Sequence, residues 1–379
     1  MCTLMNMRVL LSSIPQHGHL FPLLPLARAL RAQGDELAFV TAAGVARVLN
    51  LENIPLYAAG PMPDVLGEET TRRTGDNPFV HPTPQAARAF FVDVRVDMGG
   101  DEALAAGAAF RPDLVLRERF DYLGPLVAAD RGVPMATLAL GPAAPPMLLD
   151  FLDDRARAAH AARELPMPAD TWFLDTCPPA LQSEGWQHPE GWRALRPEAH
   201  RGGSTATPPN TSPRPRVLVT FGTWYNKPET LAPLLRELSM MDIDIVATLG
   251  LATDASQYDV DPSRVTFVPF TALDSLLEGV ELVLTHGGAG TMLGSMSRGV
   301  PMVVVPAGAD NFMNAAQVAA AGAGIALQPD EATPSAVADA VRTVLDEFRY
   351  REAAASIAKE IAAMPTPAEI AAELRSAVK

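Results

Sequence analysis

The sequence predicts an α/β protein built from two Rossmann-like, doubly wound domains that face a central cleft. Three observations support this prediction. The chain has 379 residues, more than a single hydrophobic core usually serves. Short apolar runs alternate with helical patterns in both halves, which is typical of parallel sheets covered by helices on both faces. Between the halves, residues 196–216 are rich in Pro, Gly, Ser and Thr and read as an interdomain linker.

The first half alternates strand and helix patterns. It opens with an apolar run of strand length, "MRVLLSSIP" (residues 7–15). In residues 20–34 leucines recur on one helical face and Gly34 stands where a C-cap belongs, which predicts a helix; Pro25 leaves its first residue open. The further elements that we expect are a strand at 36–41, a helix at 43–50, a strand at 113–116, a helix at 122–132 and a strand at 133–140.

The second half repeats the alternation after the polar stretch. The expected elements are a strand at 217–223, a helix at 228–238, strands at 242–250 and 264–270, a helix at 272–279 and a strand at 280–285. We therefore divide the chain into an amino-terminal domain (1–200), a linker (201–215) and a carboxyl-terminal domain (216–379), and leave open whether the last helix packs back on the first domain. Such folds bind ligands at the carboxyl ends of parallel strands, so we expect the active site in the cleft between the domains.

Composition and charge argue against several classes of protein. A hydrophobic fraction of 48% with 20% charged residues indicates a globular chain with large cores. A net charge of -14 without a Lys/Arg cluster argues against a nucleic-acid partner. Cys2 and Cys177 are too few for a disulfide framework and lack metal-ligand spacing. Without a signal-peptide pattern or an apolar run of membrane-spanning length, we expect a cytoplasmic protein. The sequence leaves the oligomeric state open, a homodimer included.

The stretch "THGGAGT" (285–291) joins a predicted strand to a predicted helix. Glycines at such a turn let the backbone approach a ligand closely, and the helix presents free N–H groups and its positive dipole end to an anion. His286 and the Thr291 hydroxyl add donors there, so we expect a pyrophosphate. The alternative is a turn that serves tight packing alone. The spacing matches neither the P-loop nor the Gly-x-Gly-x-x-Gly fingerprint.

A second stretch, "VVVPAGADNFMNAAQV" (303–318), strengthens the ligand interpretation. Asp310 and Asn311 end a loop after a predicted strand, and Asn314 follows one turn later. A carboxylate beside a carboxamide offers acceptors and donors suited to the vicinal hydroxyls of a sugar. Alternatively the pair is a helix N-cap. Beside a pyrophosphate site in the same domain, the sugar interpretation is favoured.

Together these stretches resemble the donor-binding signature of family 1 glycosyltransferases of the GT-B type. The similarity covers residues 285–324, and the order of histidine, glycine-rich turn, Gly-Val-Pro, Pro-x-x-x-Asp and a downstream Asn resembles the antibiotic-tailoring branch from actinomycetes. Asn311 departs from the family pattern, which usually has the longer Gln there. The resemblance implies that the diphosphate is held by His286 and the amides of Gly288, Ala289, Gly290 and Thr291, and the sugar hydroxyls by Asp310 and Asn311.

The same resemblance extends to other parts of the second half. "TFGT" (220–223) is similar to the family's first loop of this domain, where Thr223 meets the diphosphate. "FVPF" (267–270) occupies the place of a Trp-x-Pro element, which implies that Phe267, with Val268 beside it, stacks on the nucleobase. The alternative for Phe267 is a core position. Plant members have an acidic residue for the ribose hydroxyls where this chain has Gly294.

In the first half, "PQHGHLFP" (15–22) lies at the first strand-to-helix turn and resembles the family's Gly-His-x-x-Pro element. The resemblance implies that His19 is the catalytic base, with His17 as its competitor. An imidazole titrates near neutrality, which suits it to take the proton of an acceptor hydroxyl. A carboxylate partner would fix its tautomer. "VLRERFDY" (115–122) offers Glu118 and Asp121, of which we favour Glu118.

These assignments predict a metal-independent glycosyltransferase that needs no cofactor, and the resemblance implies that it inverts the anomeric centre. It moves a (deoxy)hexose from a nucleoside diphosphate, expected to be thymidine-linked, to a hydrophobic natural-product aglycone. The alternatives are a sugar-nucleotide epimerase of the same fold and a non-catalytic sugar-nucleotide-binding helper protein. The residues that suit either an acceptor wall or an ordinary core are Phe79, Phe90, Phe91, Met98, Met147 and Leu148.

Overall fold

The computed structural model describes residues 6–80, 82–201, 212–222, 228–249, 255–269 and 271–378. The chain forms two compact units. Unit 1 comprises Met1–Thr176, Gly185–Arg196 and Pro365–Lys379, and unit 2 comprises Cys177–Glu184 and Pro197–Met364. Most of the proposed linker lies outside the described residues.

Unit 1 is a seven-stranded parallel sheet with helices on both faces. Its strands are β1 (Arg8–Ser12), β2 (Glu36–Thr41), β3 (Leu56–Ala58), β4 (Leu114–Glu118), β5 (Met135–Leu138), β6 (Trp172–Asp175) and β7 (Trp192–Ala194). Its helices before the second unit are α1 (His17–Leu20), α2 (Leu24–Ala32), α3 (Ala46–Leu51), α4 (Pro63–Thr74), α5 (Pro84–Arg88), α6 (Arg95–Phe110), α7 (Leu123–Arg131) and α8 (Pro146–Ala161). A π-helical turn, Ala89–Val94, joins α5 to α6.

Unit 2 contains a six-stranded parallel sheet. Its strands are β8 (Arg216–Thr220), β9 (Asp244–Thr248), β10 (Val265–Val268), β11 (Leu282–Thr285), β12 (Met302–Val304) and β13 (Gly324–Ala326). Its helices are α9 (Pro228–Ser239), α10 (Leu273–Leu276), α11 (Ala289–Ser297), α12 (Asn311–Ala320), α13 (Pro334–Asp346) and α14 (Phe348–Ala363). The last helix, α15 (Pro367–Ala377), belongs to unit 1, where it packs on α2.

Both sheets reverse their strand order at one point. Unit 1 has the order β3-β2-β1-β4-β5-β6-β7, and unit 2 has β10-β9-β8-β11-β12-β13. The chain therefore leaves β1 and β4, and likewise β8 and β11, in opposite directions. Such a switch point opens a crevice at the carboxyl ends of the two strands, where doubly wound folds bind ligands.

Burial on both faces explains the apolar strand sequences. In β1, Val9 and Leu11 enter one core cluster with α2 and α15, while Leu10 enters another with α6 and α7. Because successive side chains alternate between faces, a strand covered by helices on both sides is apolar throughout. None of the helices in the described ranges has the length and apolar composition to cross a membrane.

The structure changes several expected boundaries. The first strand ends at Ser12, and residues 13–16 form the turn that precedes α1. The helix expected at 20–34 is divided, because a short 3-10 turn, Phe21–Leu23, separates α1 from α2. Prolines at 22 and 25 lack the N–H that a continuous helix needs, so they occupy first-turn positions of successive segments.

Candidate functional site

The switch point of unit 1 brings His19 to Glu118. Ser12 pairs with Arg117 in the sheet, so the residues that follow β1 lie beside the end of β4. His19 Nδ1 lies 3.0 Å from Glu118 Oε1, which also accepts the N–H of Ile14 at 3.2 Å. Glu118 Oε2 accepts the N–H of Phe120 at 2.7 Å. Three donors from both strand ends therefore converge on one carboxylate.

The electrostatics favour an ionised Glu118. Burial alone raises the pKa of this carboxyl, but the neighbouring His19 and the N–H groups of Phe120 and Ile14 outweigh burial and hold the pKa below its usual value. A carboxylate only accepts hydrogen bonds, so Nδ1 of His19 carries the proton and Nε2 of the neutral ring has the lone pair. The Glu118 side chain is fully buried, whereas that of His19 is 17% exposed.

His17 and Asp121, the alternatives to His19 and Glu118, have different neighbours. The ring of His17 is half-buried with its centroid 5.0 Å from that of Phe21, and burial lowers the pKa of His17. The carboxylate of Asp121 accepts the Ser12 hydroxyl and pairs with Arg95, whose Nε lies 3.0 Å from Oδ1.

Sequence reasoning missed Arg95. Its side chain is fully buried, and beyond Asp121 its guanidinium donates to the carbonyls of Ala59 at 3.2 Å and Ser13 at 3.0 Å. These bonds tie α6 to the loops after β3 and β1. The available signal was a single arginine inside an apolar helical stretch, "FFVDVRVDM", since a buried charge needs a partner.

Aromatic rings surround His19. The ring centroids of Phe91 and Phe120 lie 6.2 and 6.3 Å from that of His19, and 5.2 Å from each other. Both phenylalanines are half-buried. The row continues through Phe90, 5.1 Å from Phe91, to Phe79, 5.4 Å from Phe90. The aromatic residues next to His19, Phe91 and Phe120, therefore lie on the π-helical turn and just after β4.

The six residues that the sequence offers for an acceptor wall differ in how exposed their side chains are. Phe90 is 3% exposed and belongs to a small core cluster. Phe79, Met98 and Met147 are exposed. Leu148 is half-buried and packs on the core beneath α6 and α7. Of the six, Phe91 lies next to His19, and Phe120 is a neighbour that the sequence did not single out.

The switch point of unit 2 holds His286 between two glycines. A Cβ on Gly222 would lie 2.8 Å from His286 Cε1, and one on Gly288 would lie 2.9 Å from Nε2. Any larger residue at either position would displace the ring. Burial lowers the pKa of His286 to about 4, although a bond to the Thr220 carbonyl acts in the opposite direction. The ring is therefore neutral near pH 7 and uses its one N–H on that carbonyl.

The start of α11 presents backbone donors that are not used within the helix. Gly288 is the N-cap, and the first intrahelical bond runs from Met292 N to the Gly288 carbonyl at 3.0 Å. The N–H groups of Ala289, Gly290 and Thr291 thus have no acceptor within the helix. Among the described residues no side chain caps this end. Gly290 is exposed, and a Cβ there would meet nothing within 4 Å, so the helix start can accept an anion.

The loop after β12 abuts this turn. A Cβ on Gly287, which has φ 90°, would lie 2.8 Å from Val304 and 3.2 Å from the Asn311 carbonyl oxygen. Asp310 is the exposed N-cap of α12, yet its side chain makes no cap bond. Asn311 is 4% exposed, and its Nδ2 is buried without a hydrogen-bond partner within the described part of the chain. The pair therefore combines an exposed residue, Asp310, whose Oδ2 accepts from Asn314 Nδ2, with the buried carboxamide of Asn311.

Three further residues, Phe267, Val268 and Thr223, were expected at the donor site. The ring of Phe267 is half-buried on the core of unit 2, with its centroid 4.9 Å from that of Tyr258. This packing agrees with the core alternative, and stacking on a nucleobase stays a prediction. Val268 is 8% exposed at the end of β10. Thr223 lies outside the described residues.

A family model and the relatives of this chain point to the same group of proteins. Residues 232–377 match the family described as erythromycin biosynthesis protein CIII-like, C-terminal domain. The chain is 32% identical over 396 residues to the elloramycin glycosyltransferase ElmGT of Streptomyces olivaceus, covering 98% of this chain and 97% of that protein.

Solved structures give the same result. The glycosyltransferase SnogD from Streptomyces nogalater has a TM-score of 0.81 and 28% identity, covering 99% of this chain and 100% of that one. SsfS6 from Streptomyces sp. SF2575, solved with thymidine diphosphate, has a TM-score of 0.80 and 27% identity, covering 98% of this chain and 100% of that one. The chain belongs to the actinomycete glycosyltransferases of antibiotic biosynthesis, which have the GT-B fold.

Proposed function

We propose that this glycosyltransferase moves a (deoxy)hexose from a thymidine diphosphate sugar to a hydrophobic natural-product aglycone, with inversion and without a metal ion. One observation supports the proposal: a candidate base lies at the switch point of unit 1, and a candidate anion site lies at the switch point of unit 2. Unit 1 supplies the His19–Glu118 pair, and unit 2 supplies the α11 helix start with His286. A base and a diphosphate site are the two things that a single displacement needs.

His19 acts as the base in this proposal. Its Nε2 takes the proton of the acceptor hydroxyl as the oxygen attacks the anomeric carbon, and Glu118 stabilises the imidazolium that forms. The attack comes from the face opposite to the diphosphate, so the bond from the anomeric carbon to the diphosphate oxygen breaks with inversion. The half-buried rings of Phe91 and Phe120 give an apolar aglycone a surface beside the base.

The leaving diphosphate carries the electron pair of the broken bond. The free N–H groups at the start of α11 and the positive end of its dipole are suited to this charge. The second nitrogen of His286 can donate to a phosphate oxygen only when the ring is protonated, because its one N–H is used on Thr220. We propose that these groups replace the metal ion that other transferases use, and that no cofactor takes part.

Two observations support a thymidine donor. SsfS6, similar over nearly the whole chain, was solved with thymidine diphosphate. Within this chain, a Cβ on Gly294 would lie 2.8 Å from Leu273 Cδ2. The place where plant members carry the acid for the ribose hydroxyls is therefore filled by an apolar side chain, which offers no partner to a 2′-hydroxyl.

Incubation of the protein with thymidine- and uridine-diphospho-sugars and a panel of aromatic and macrolide aglycones tests the proposal. Mass spectrometry should detect a glycoside and one equivalent of nucleoside diphosphate, both formed undiminished in EDTA. NMR of the new anomeric centre should show inversion. An isomerised donor sugar without glycoside would identify an epimerase, and donor binding without any turnover would identify a helper protein.

A further inference from the structure

Asn314 connects the two loops that the proposed function assigns to the donor. Its side chain is fully buried on the first turn of α12. Nδ2 donates to the Gly287 carbonyl at 2.8 Å and to Asp310 Oδ2 at 2.9 Å. One carboxamide thus joins the glycine-rich turn after β11 to the carboxylate after β12.

The surrounding backbone makes this link specific. Gly287 has φ 90° and fits tightly against Val304 and the Asn311 backbone, so its carbonyl has a fixed position. Ala309, just before Asp310, has φ 50°, a left-handed conformation that a non-glycine residue adopts at a cost. The side chain of Asp310 makes no cap bond to α12, and its Oδ2 accepts from Asn314 Nδ2.

The chemistry of the carboxamide also matters. Both Gly287 and Asp310 present acceptors, so only a side chain with two N–H groups can bridge them. Asn314 Oδ1 is buried and has no hydrogen-bond partner among the described residues. The Asn314 side chain therefore makes both Nδ2 donations although its Oδ1 has no partner among the described residues. Packing alone does not require this arrangement.

We infer that Asn314 is a positioning residue that fixes the Asp310 carboxylate relative to the diphosphate turn. This role rests on the proposed function: by fixing Asp310, Asn314 fixes the position of the donor sugar relative to the diphosphate that leaves. Transfer requires the anomeric carbon to be aligned between the attacking oxygen and the diphosphate. Displacement of a bound group by about 1 Å can cost roughly 100-fold in rate.

A double-mutant cycle tests the inference. Asn314→Ala should lower kcat/KM for transfer by roughly 10-fold or more, and Asp310→Ala by at least as much. If Asn314 acts through Asp310, then Asn314→Ala in the Asp310→Ala background should cost less than about 3-fold. Thymidine diphosphate affinity, measured by calorimetry, reports separately on the Gly287 bond and should change less than transfer does.

Two further variants complete the experiment. Asn314→Asp keeps the size of the side chain but removes both N–H donors, so it should reproduce the loss of transfer even if the alanine variant does not fold. Gln317→Ala is the matched control, since Gln317 lies one turn further on α12 and bonds to Ser183 at 3.1 Å; its transfer rate should be unchanged.

The outcomes separate the inference from the proposed function. Additive losses in the cycle, or full transfer by Asn314→Asp, would overturn the positioning role while leaving the glycosyltransferase assignment intact. If Asp310→Ala itself transfers sugar at the normal rate, the sugar-binding role of Asp310 in the proposed function is wrong.

Discussion

The carboxylate of Glu118 is the residue on which the proposed base depends. Its two oxygens accept from His19, Ile14 and Phe120. In Glu118→Gln, one oxygen becomes an NH2 group that faces a donor whichever way the amide turns, and the imidazolium loses its counter-charge. We expect transfer to fall by roughly 100-fold or more, on the scale of a lost general-base arrangement.

The Glu118→Gln experiment needs a binding control. Because Glu118 lies in unit 1, thymidine diphosphate should bind the variant as it binds the wild type, and calorimetry measures this directly. Transfer within a factor of about three of wild type would show that the carboxylate does not support the base.

His286 should couple diphosphate binding to proton uptake. The pKa of His286 is about 4, below the ordinary 6.5 of histidine, because burial disfavours the imidazolium. A bound diphosphate favours the imidazolium and raises this pKa. As the pH falls from 6.5 towards 4, wild-type affinity should therefore rise relative to that of His286→Gln.

Calorimetry in buffers of different ionisation enthalpy counts the protons taken up by the wild type and by His286→Gln. The variant should also bind thymidine diphosphate more weakly by about 1–2 kcal/mol, with no change for thymidine itself. Equal proton counts for the two proteins would remove His286 from the diphosphate site.

At the scale of elements, Arg95 and Asp121 hold α6 to the end of β4. Both side chains are fully buried and form an ion pair at 3.0 Å. Asp121→Asn leaves the guanidinium buried without its counter-charge, so the unfolding free energy should drop by about 3–5 kcal/mol. Denaturant titration of the variant against the wild type measures this loss.

An exposed pair between neighbouring elements is the control. Arg73 on α4 pairs with Asp97 on α6 at 2.6 Å, with Asp97 51% exposed. Because solvent screens this pair, Asp97→Asn should cost no more than about 1 kcal/mol. If the two substitutions cost the same, the buried pair does not hold these elements together.

Sequence periodicity predicts the strands and the glycine-rich turn, because both depend on local patterns. It leaves Glu118 and Asp121 as alternatives, since the choice depends on where β4 ends and how it pairs with β1. It also misses the π-helical turn of Ala89–Val94, whose geometry departs from the 3.6-residue helical period. Arg95 is recognisable as a fixed point only when its partners, 26 and 36 residues away, are known.

At the scale of the whole molecule, the preference for a thymidine over a uridine donor can be tested. Gly294 offers no side-chain acceptor, and Leu273 occupies the adjacent space. This contact also shows that Gly294 permits close packing of α10 on α11. A 2′-hydroxyl that loses its water there without a partner costs about 1–3 kcal/mol, whereas a 2′-deoxyribose loses nothing.

Competition binding should therefore rank thymidine diphosphate above uridine diphosphate, with the 2′-deoxyuridine compound separating the sugar from the base methyl group. The deoxyuridine compound should bind nearly as tightly as the thymidine one. Equal affinities for all three would contradict the role given to Gly294.

The central claim is that chemistry and donor binding are divided between the two units, with His19 as the base. His19→Ala tests it most directly when kcat for transfer and the Kd for thymidine diphosphate are measured on one preparation. We expect kcat to fall by roughly 100-fold or more while the Kd stays unchanged. Near-normal turnover, or a loss of nucleotide affinity equal to the loss of rate, would contradict it.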